Sequence, residues 1–156
     1  MHELAFTVSG RIAKPIGEVF EAVADPEQLS QYFTTGGAEG RLETGATVTW
    51  DFADFPGRFP VEVVEVTPNE RIVLTWDAVD DSPEDEESPP HPNTVTFRFE
   101  SLQDGRTLVT ISEEGWRPTP KGVMAAFLNC EGWTGMLAAM RIWLEHGIRF
   151  RDGYYV

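Results

Sequence analysis

From Thr119 to Ile148 the chain carries about thirty residues of unbroken helical pattern, and that length constrains the fold more than any other feature. Val123, Ala126, Phe127, Cys130, Trp133, Thr134, Leu137, Met140, Leu144 and Ile148 recur at steps of three and four, one apolar stripe along the helix. At a rise of 1.5 Å per residue such a helix is roughly 45 Å long, as long as a small domain is wide. It therefore crosses the whole body of the protein. The segments before it read as short strands, so the partner for the stripe is a curved sheet wrapped around it. That arrangement tends to hold a pocket between sheet and helix.

The strands are legible by alternation. Leu4, Phe6, Val8 and Ile12 share one face of the first, with Ala5, Thr7, Ser9 and Arg11 on the other. Two short helices follow. Pro15 opens one with Ile16, Val19, Phe20 and Val23 as its apolar side, and Asp25 caps the next, with Gln28 three residues on. Leu29, Tyr32 and Phe33 form its buried side and Gly36-Gly37 ends it. Six further strands are expected: a weak one near Ala38–Leu42, then those carrying Val48, Trp50 and Phe52; Phe59, Val61 and Val63; Ile72, Leu74 and Trp76; Val95, Phe97 and Phe99; and a last one from Arg106 to Glu114. Clean alternation marks one packed and one wet face, the sign of an antiparallel sheet.

A chain of 156 residues fits one domain, 1–156, with enough core to fold without staples. No apolar run reaches eighteen residues, so no membrane span is expected, and Met1-His2-Glu3 opens straight into strand pattern without a signal peptide. A cytoplasmic protein is the expectation. Cys130 is a single cysteine on the stripe and reads as a buried small hydrophobe. The formal charge of −14, with twelve scattered basic residues, excludes a nucleic-acid partner. Much of the acid lies in 78–92 and beside it: Asp77, Asp80, Asp81, Glu84, Asp85, Glu86 and Glu87, with Pro83, Pro89, Pro90 and Pro92 among them. Such a stretch reads as a solvated loop, and it lacks the central glycine and alternating acids of an EF-hand.

Strand, two short helices, six strands and a long helix come in an order that resembles a known family. The opening strand ends in Ile12-Ala13-Lys14-Pro15, followed by Glu18-Val19-Phe20, Asp25-Pro26-Glu27-Gln28-Leu29 and Gly36-Gly37. Val64-Glu65-Val66-Thr67-Pro68 and Arg71-Ile72-Val73-Leu74-Thr75-Trp76 come next, then Thr94–Phe99, Gly105–Ile111, Glu114-Gly115-Trp116 and Gly132-Trp133 with Leu137. Together they resemble the START-like (SRPBCC) superfamily, and within it the group named for the activator of the heat-shock-protein-90 ATPase. The resemblance implies an α+β helix-grip fold: a curved antiparallel sheet of six to seven strands around a long C-terminal helix at 119–148. It implies no single chemistry, since the superfamily holds lipid carriers, hormone receptors and polyketide cyclases.

Groups for catalysis are sparse. His2, His91 and His146 pair with no cysteine, serine or carboxylate by pattern, and neither metal-ligand spacing nor a nucleotide-binding glycine motif is present, so no cofactor and no metal are expected. Glu113 shares the parity of Val109 and Ile111, and Arg141 falls on the helix stripe. The two either meet at the cavity and hold the polar end of a ligand, or snorkel to a solvated rim. Trp50, Phe52, Val63, Trp76, Phe97, Phe99, Phe127, Trp133 and Leu137 complete the expected lining. Gly122, Gly132 and Gly135 weaken the helix and call for either close packing or a kink. The expected function is binding of a small apolar or amphipathic molecule, with a homodimer left open. The alternatives are an enzyme of the cyclase or hydrolase kind using Glu113, Arg141 or Tyr32, and a co-chaperone-like interaction module.

Overall fold

Seven antiparallel strands form a single sheet in the order β1-β7-β6-β5-β4-β3-β2, with the first two strands of the chain, β1 and β2, at opposite edges and the first and last side by side. The structure, a computed structural model, describes residues 4–77 and 92–156. Its strands are β1 (Leu4–Ile12), β2 (Gly37–Glu39), β3 (Thr47–Phe52), β4 (Phe55–Thr67), β5 (Arg71–Asp77), β6 (Pro92–Ser101) and β7 (Thr107–Trp116). The helices are α1 (Ile16–Ala24), α2 (Pro26–Tyr32) and α3 (Pro120–His146). This is the helix-grip architecture. The acidic stretch read as a solvated loop lies outside the described residues except for Pro92, which opens β6. No helix among the described residues is long and apolar enough to cross a membrane.

Local chemistry sets the helix ends. The Asp25 carboxylate accepts from the Glu27 backbone N–H at 2.9 Å and Pro26 takes the first turn of α2, where its missing N–H costs nothing. Thr119 caps α3 by accepting from the Gly122 N–H at 3.1 Å. Gly147, at φ 67°, takes the left-handed position that terminates it. The helix is therefore shorter than the stripe suggested, and Ile148 lies beyond it, exposed.

Sheet and helices enclose the core. Val95, Phe97 and Phe99 of β6, Val109 and Ile111 of β7 and Ile72 and Leu74 of β5 all turn toward α1, α2 and α3 and are buried. β4 is longer than the sequence suggested, and a bulge between Val63 and Glu65 leaves Val64 exposed. On α3 the buried side is Gly122, Ala126, Trp133, Met136, Leu137, Ala139 and Met140. This corrects the stripe: Phe127 is 65% exposed, Thr134 is exposed, and Met136 and Ala139 take inward positions. In the first two turns of α3 the buried residues, Gly122 and Ala126, are small. A Cβ at Gly122 would collide with the carbonyl of Arg117, so the larger Met124, Phe127 and Leu128 point outward.

Candidate functional site

Glu113 is fully buried, with no cation beside it among the described residues. Four side chains donate to its carboxylate. The Trp133 indole N–H reaches Oε1 at 2.7 Å and the Trp76 indole N–H reaches Oε2 at 3.0 Å. The Asn93 amide donates to Oε2 at 2.9 Å, and the Asn129 amide lies 3.2 and 3.1 Å from Oε1 and Oε2. Strand parity on β7 points Glu113 inward, Trp76 is the last residue but one of β5, Asn93 is the second residue of β6, and α3 delivers Asn129 and Trp133 one turn apart. Burial pushes the carboxyl above its ordinary value, because desolvation disfavours the charge, and the N–H donors oppose that shift. Those donors fill the lone-pair directions of two carboxylate oxygens. The remaining oxygen of Asn93 has no partner among the described residues.

The network orders a set of rings. Trp76 and Trp133 stack with centroids 5.4 Å apart and planes 17° from parallel. Phe33 stacks on the far side of Trp133 at 5.4 Å, and Phe97 meets its edge. Beside these rings lies a cavity of about 340 Å³ lined by Phe33, Phe52, Phe55, Trp76, Leu128, Asn129, Glu131, Gly132, Trp133, Arg151 and Tyr155. An adjoining space of about 300 Å³ is lined by Phe52, Phe59, Pro60, Trp76, Asp77 and Asn129. Phe52, Trp76 and Asn129 border both.

The far wall is built by the C-terminal tail. Arg151 is 8% exposed and pairs with Asp54 at 3.1 Å. Its guanidinium lies 4.6 Å from the Phe52 ring centre, 5.0 Å from Tyr155 and 5.5 Å from Phe33. Tyr155 packs on α3 where Gly135 has no side chain: a Cβ there would meet the tyrosine hydroxyl. Gly132 is different, with open space where its Cβ would stand. Neither glycine marks a kink; α3 runs unbroken from Pro120 to His146.

Of the residues expected to line a pocket, Phe52, Trp76 and Trp133 border these spaces and Glu113 lies beneath them. Trp50, Val63, Phe97 and Phe99 are buried in the core behind, and Phe99 packs against Phe20. The gap expected between Trp50, Trp76, Phe97 and Trp133 is closed by ring contacts, and the cavity stands beside it. Leu137 packs on Gly10 of β1. Phe127 faces solvent. Arg141 does not meet Glu113: its side chain is exposed and bonds Glu145 one turn on, at 3.0 Å. Tyr32 donates its hydroxyl to the Ala22 carbonyl at 2.8 Å and is fully buried, which forces its pKa far upward. Cys130 is half-buried, and among the described residues no cluster of His, Cys, Asp or Glu is placed to hold a metal.

Asn93, Asn129 and Arg151 are among the residues of the site not singled out in the sequence. Asn93 shares the inward parity of Val95, Phe97 and Phe99, and Asn129 lies one helical turn before Trp133; both signals were present. Arg151 had none, since its partner Asp54 is 97 residues away.

The sequence profile of the family described as activator of Hsp90 ATPase homolog 1-like protein matches residues 13–145. A crystal structure from Staphylococcus saprophyticus is similar, with 26% identity, 95% of this chain and 96% of that one covered, and a TM-score of 0.76. DynU16, a protein of the dynemicin biosynthetic locus, is 26% identical over 92% of this chain and 48% of its own, at a TM-score of 0.72. The Aha1 dimer of Colwellia psychrerythraea, solved in solution, shares the fold at 19% identity, with 92% and 98% covered and a TM-score of 0.69. No curated protein matches the chain.

Proposed function

The chain belongs to the activator of Hsp90 ATPase homolog 1-like family, and from that premise we propose that it binds a small apolar or amphipathic molecule in the aromatic cavity beside Trp76 and Trp133. The observation that carries this reading is a 340 Å³ space walled by rings whose orientation a buried carboxylate fixes from behind. A space of that size suits a ligand of two or three fused rings. Similarity to a protein of a dynemicin biosynthetic locus supports a small-molecule ligand. An enzyme of the cyclase or hydrolase kind needs converging acid, base or nucleophile. Among the described residues Glu113 meets amides and indoles only, Arg141 points outward and the Tyr32 hydroxyl is committed to a backbone carbonyl.

The test uses N-phenyl-1-naphthylamine, an uncharged fluorescent probe. Binding quenches tryptophan emission, and Gly132→Leu, which places a side chain in the open space, weakens binding at least tenfold while the fold melts cooperatively. No quenching, or unchanged affinity in Gly132→Leu, contradicts the reading.

A second reading, association with another protein surface, is favoured by the exposed Met124, Phe127 and Leu128 on the first half of α3. The Colwellia relative is a dimer, which supports a second copy of this chain as the partner. Light scattering across a dilution series tests it: a Phe127→Glu variant then shifts a dimer to monomer.

A further inference from the structure

Glu113 spends the Asn129 amide nitrogen, which lies 3.1 and 3.2 Å from its two oxygens. A carboxylate already facing two indole N–H groups and the Asn93 amide accepts only, so the Asn129 carbonyl oxygen cannot turn toward it without setting oxygen against oxygen. That oxygen therefore points away from Glu113, and Asn129 borders both spaces of the cavity. Among the described residues no group donates to it. The other polar side chains at the lining are Glu131, Asp77, Arg151 and Tyr155, whose hydroxyl is buried against Gly135 of α3. Two of these are carboxylates, and Arg151 is held by Asp54 and three aromatic faces.

We infer that Asn129 Oδ1 is the polar recognition point of the cavity, and that its ligand is an aromatic or fused-ring molecule carrying a hydroxyl or N–H donor rather than a carboxylate. This rests on the reading that the cavity binds a ligand and fixes the chemistry of the polar end. The rings of Phe52, Phe55 and Trp76 at the lining take the apolar body. A donor placed against Asn129 gains a hydrogen bond away from water, whereas an ether or a carboxylate sets its oxygens against an acceptor. Arg141, expected to hold the polar end of a ligand, lies in a different cleft, between β1 and the second half of α3.

The experiment measures three ligands of matched size on the intact protein: 2-naphthol, 2-methoxynaphthalene and 2-naphthoate. The expected result is 2-naphthol bound at least tenfold more tightly than either of the others. In Asn129→Leu the affinity for 2-naphthol falls to that of the ether. Equal affinity of naphthol and ether, or tightest binding of the carboxylate, overturns the inference and leaves the binding reading standing. A preference that survives Asn129→Leu overturns Asn129 as the acceptor. Failure of all three to bind overturns both the inference and the binding reading. The wild-type ligand series decides the polarity of the site even where the variant does not fold.

Discussion

Glu113 concentrates more physical consequence than any other residue here, because it is a buried carboxylate with no counter-charge beside it among the described residues, held there by neutral donors. Glu113→Gln replaces one acceptor oxygen by an N–H₂ group facing N–H donors, and a buried donor left unmet costs about 1–3 kcal/mol. We expect a loss of at least about 2 kcal/mol in denaturant melts, with weaker ligand binding as Trp76 and Asn129 lose their orientation. The pH dependence follows from the upward shift. The folded carboxyl holds its proton more tightly than the unfolded one, so its contribution is fully present below the ordinary value of 4.5 and is lost as pH rises through the folded value. The stability margin of the wild type over Glu113→Gln therefore shrinks as pH rises above 4.5, and a flat margin contradicts the shift. Alternation alone placed Glu113 inward with Val109 and Ile111, and it also placed Asn93, but a strand read as starting at Thr94 missed it. Arg151 had no such cue: periodicity reports a residue's own element, and its partner is 97 residues away.

At the scale of elements, α3 shows why a helical pattern predicts a helix better than it predicts the helix's buried side. Its ends are set by local chemistry at Thr119 and Gly147; the start was read from the sequence, while the stripe ran past Gly147 to Ile148. Its faces depend on where neighbouring backbone approaches, and that is not legible in sequence. Arg117 beneath Gly122 and Tyr155 beneath Gly135 select small residues inward, and Phe127 is left outside. The three helix glycines were read as needing a reason; two have one in packing, and the third borders the cavity. Opposite outcomes follow for two glycines three residues apart. Gly132→Ala should raise stability by up to about 1 kcal/mol, the ordinary gain of alanine over glycine inside a helix. Gly135→Ala should lower the melting temperature despite the same propensity gain, because the methyl displaces Tyr155 and loosens the tail that carries Arg151. Thermal melts of the two variants decide it: a rise in both would mean the Tyr155 contact is dispensable. Trp133→Ala, which removes a buried ring and a donor to Glu113, should cost about 3–5 kcal/mol by the same measurement.

On the scale of the whole molecule, the antiparallel sheet, the two early helices and the long final helix were all readable, because alternation and helical period survive in the sequence wherever one face is packed. The position of the cavity was not readable. Inward parity cannot tell a ring packed against other rings from one beside open space. Trp50 and Phe97 are the first kind and Trp76 and Trp133 the second, and only the tertiary placement of α3, the β3–β4 turn and the C-terminal tail separates them. The chain has five tryptophans, at 50, 76, 116, 133 and 143, and their indole N–H groups report on different parts of the fold. Trp76 and Trp133 donate to Glu113 at the cavity, Trp143 contacts Gln28, and Trp116 stacks on Phe6 near the start of β1. The most direct test follows the indole ¹H–¹⁵N signals during titration with 2-naphthol. The account predicts saturable shifts of the Trp76 and Trp133 signals while those of Trp116 and Trp143 stay in place. Shifts confined to Trp116 or Trp143, or none at saturating ligand, would contradict it.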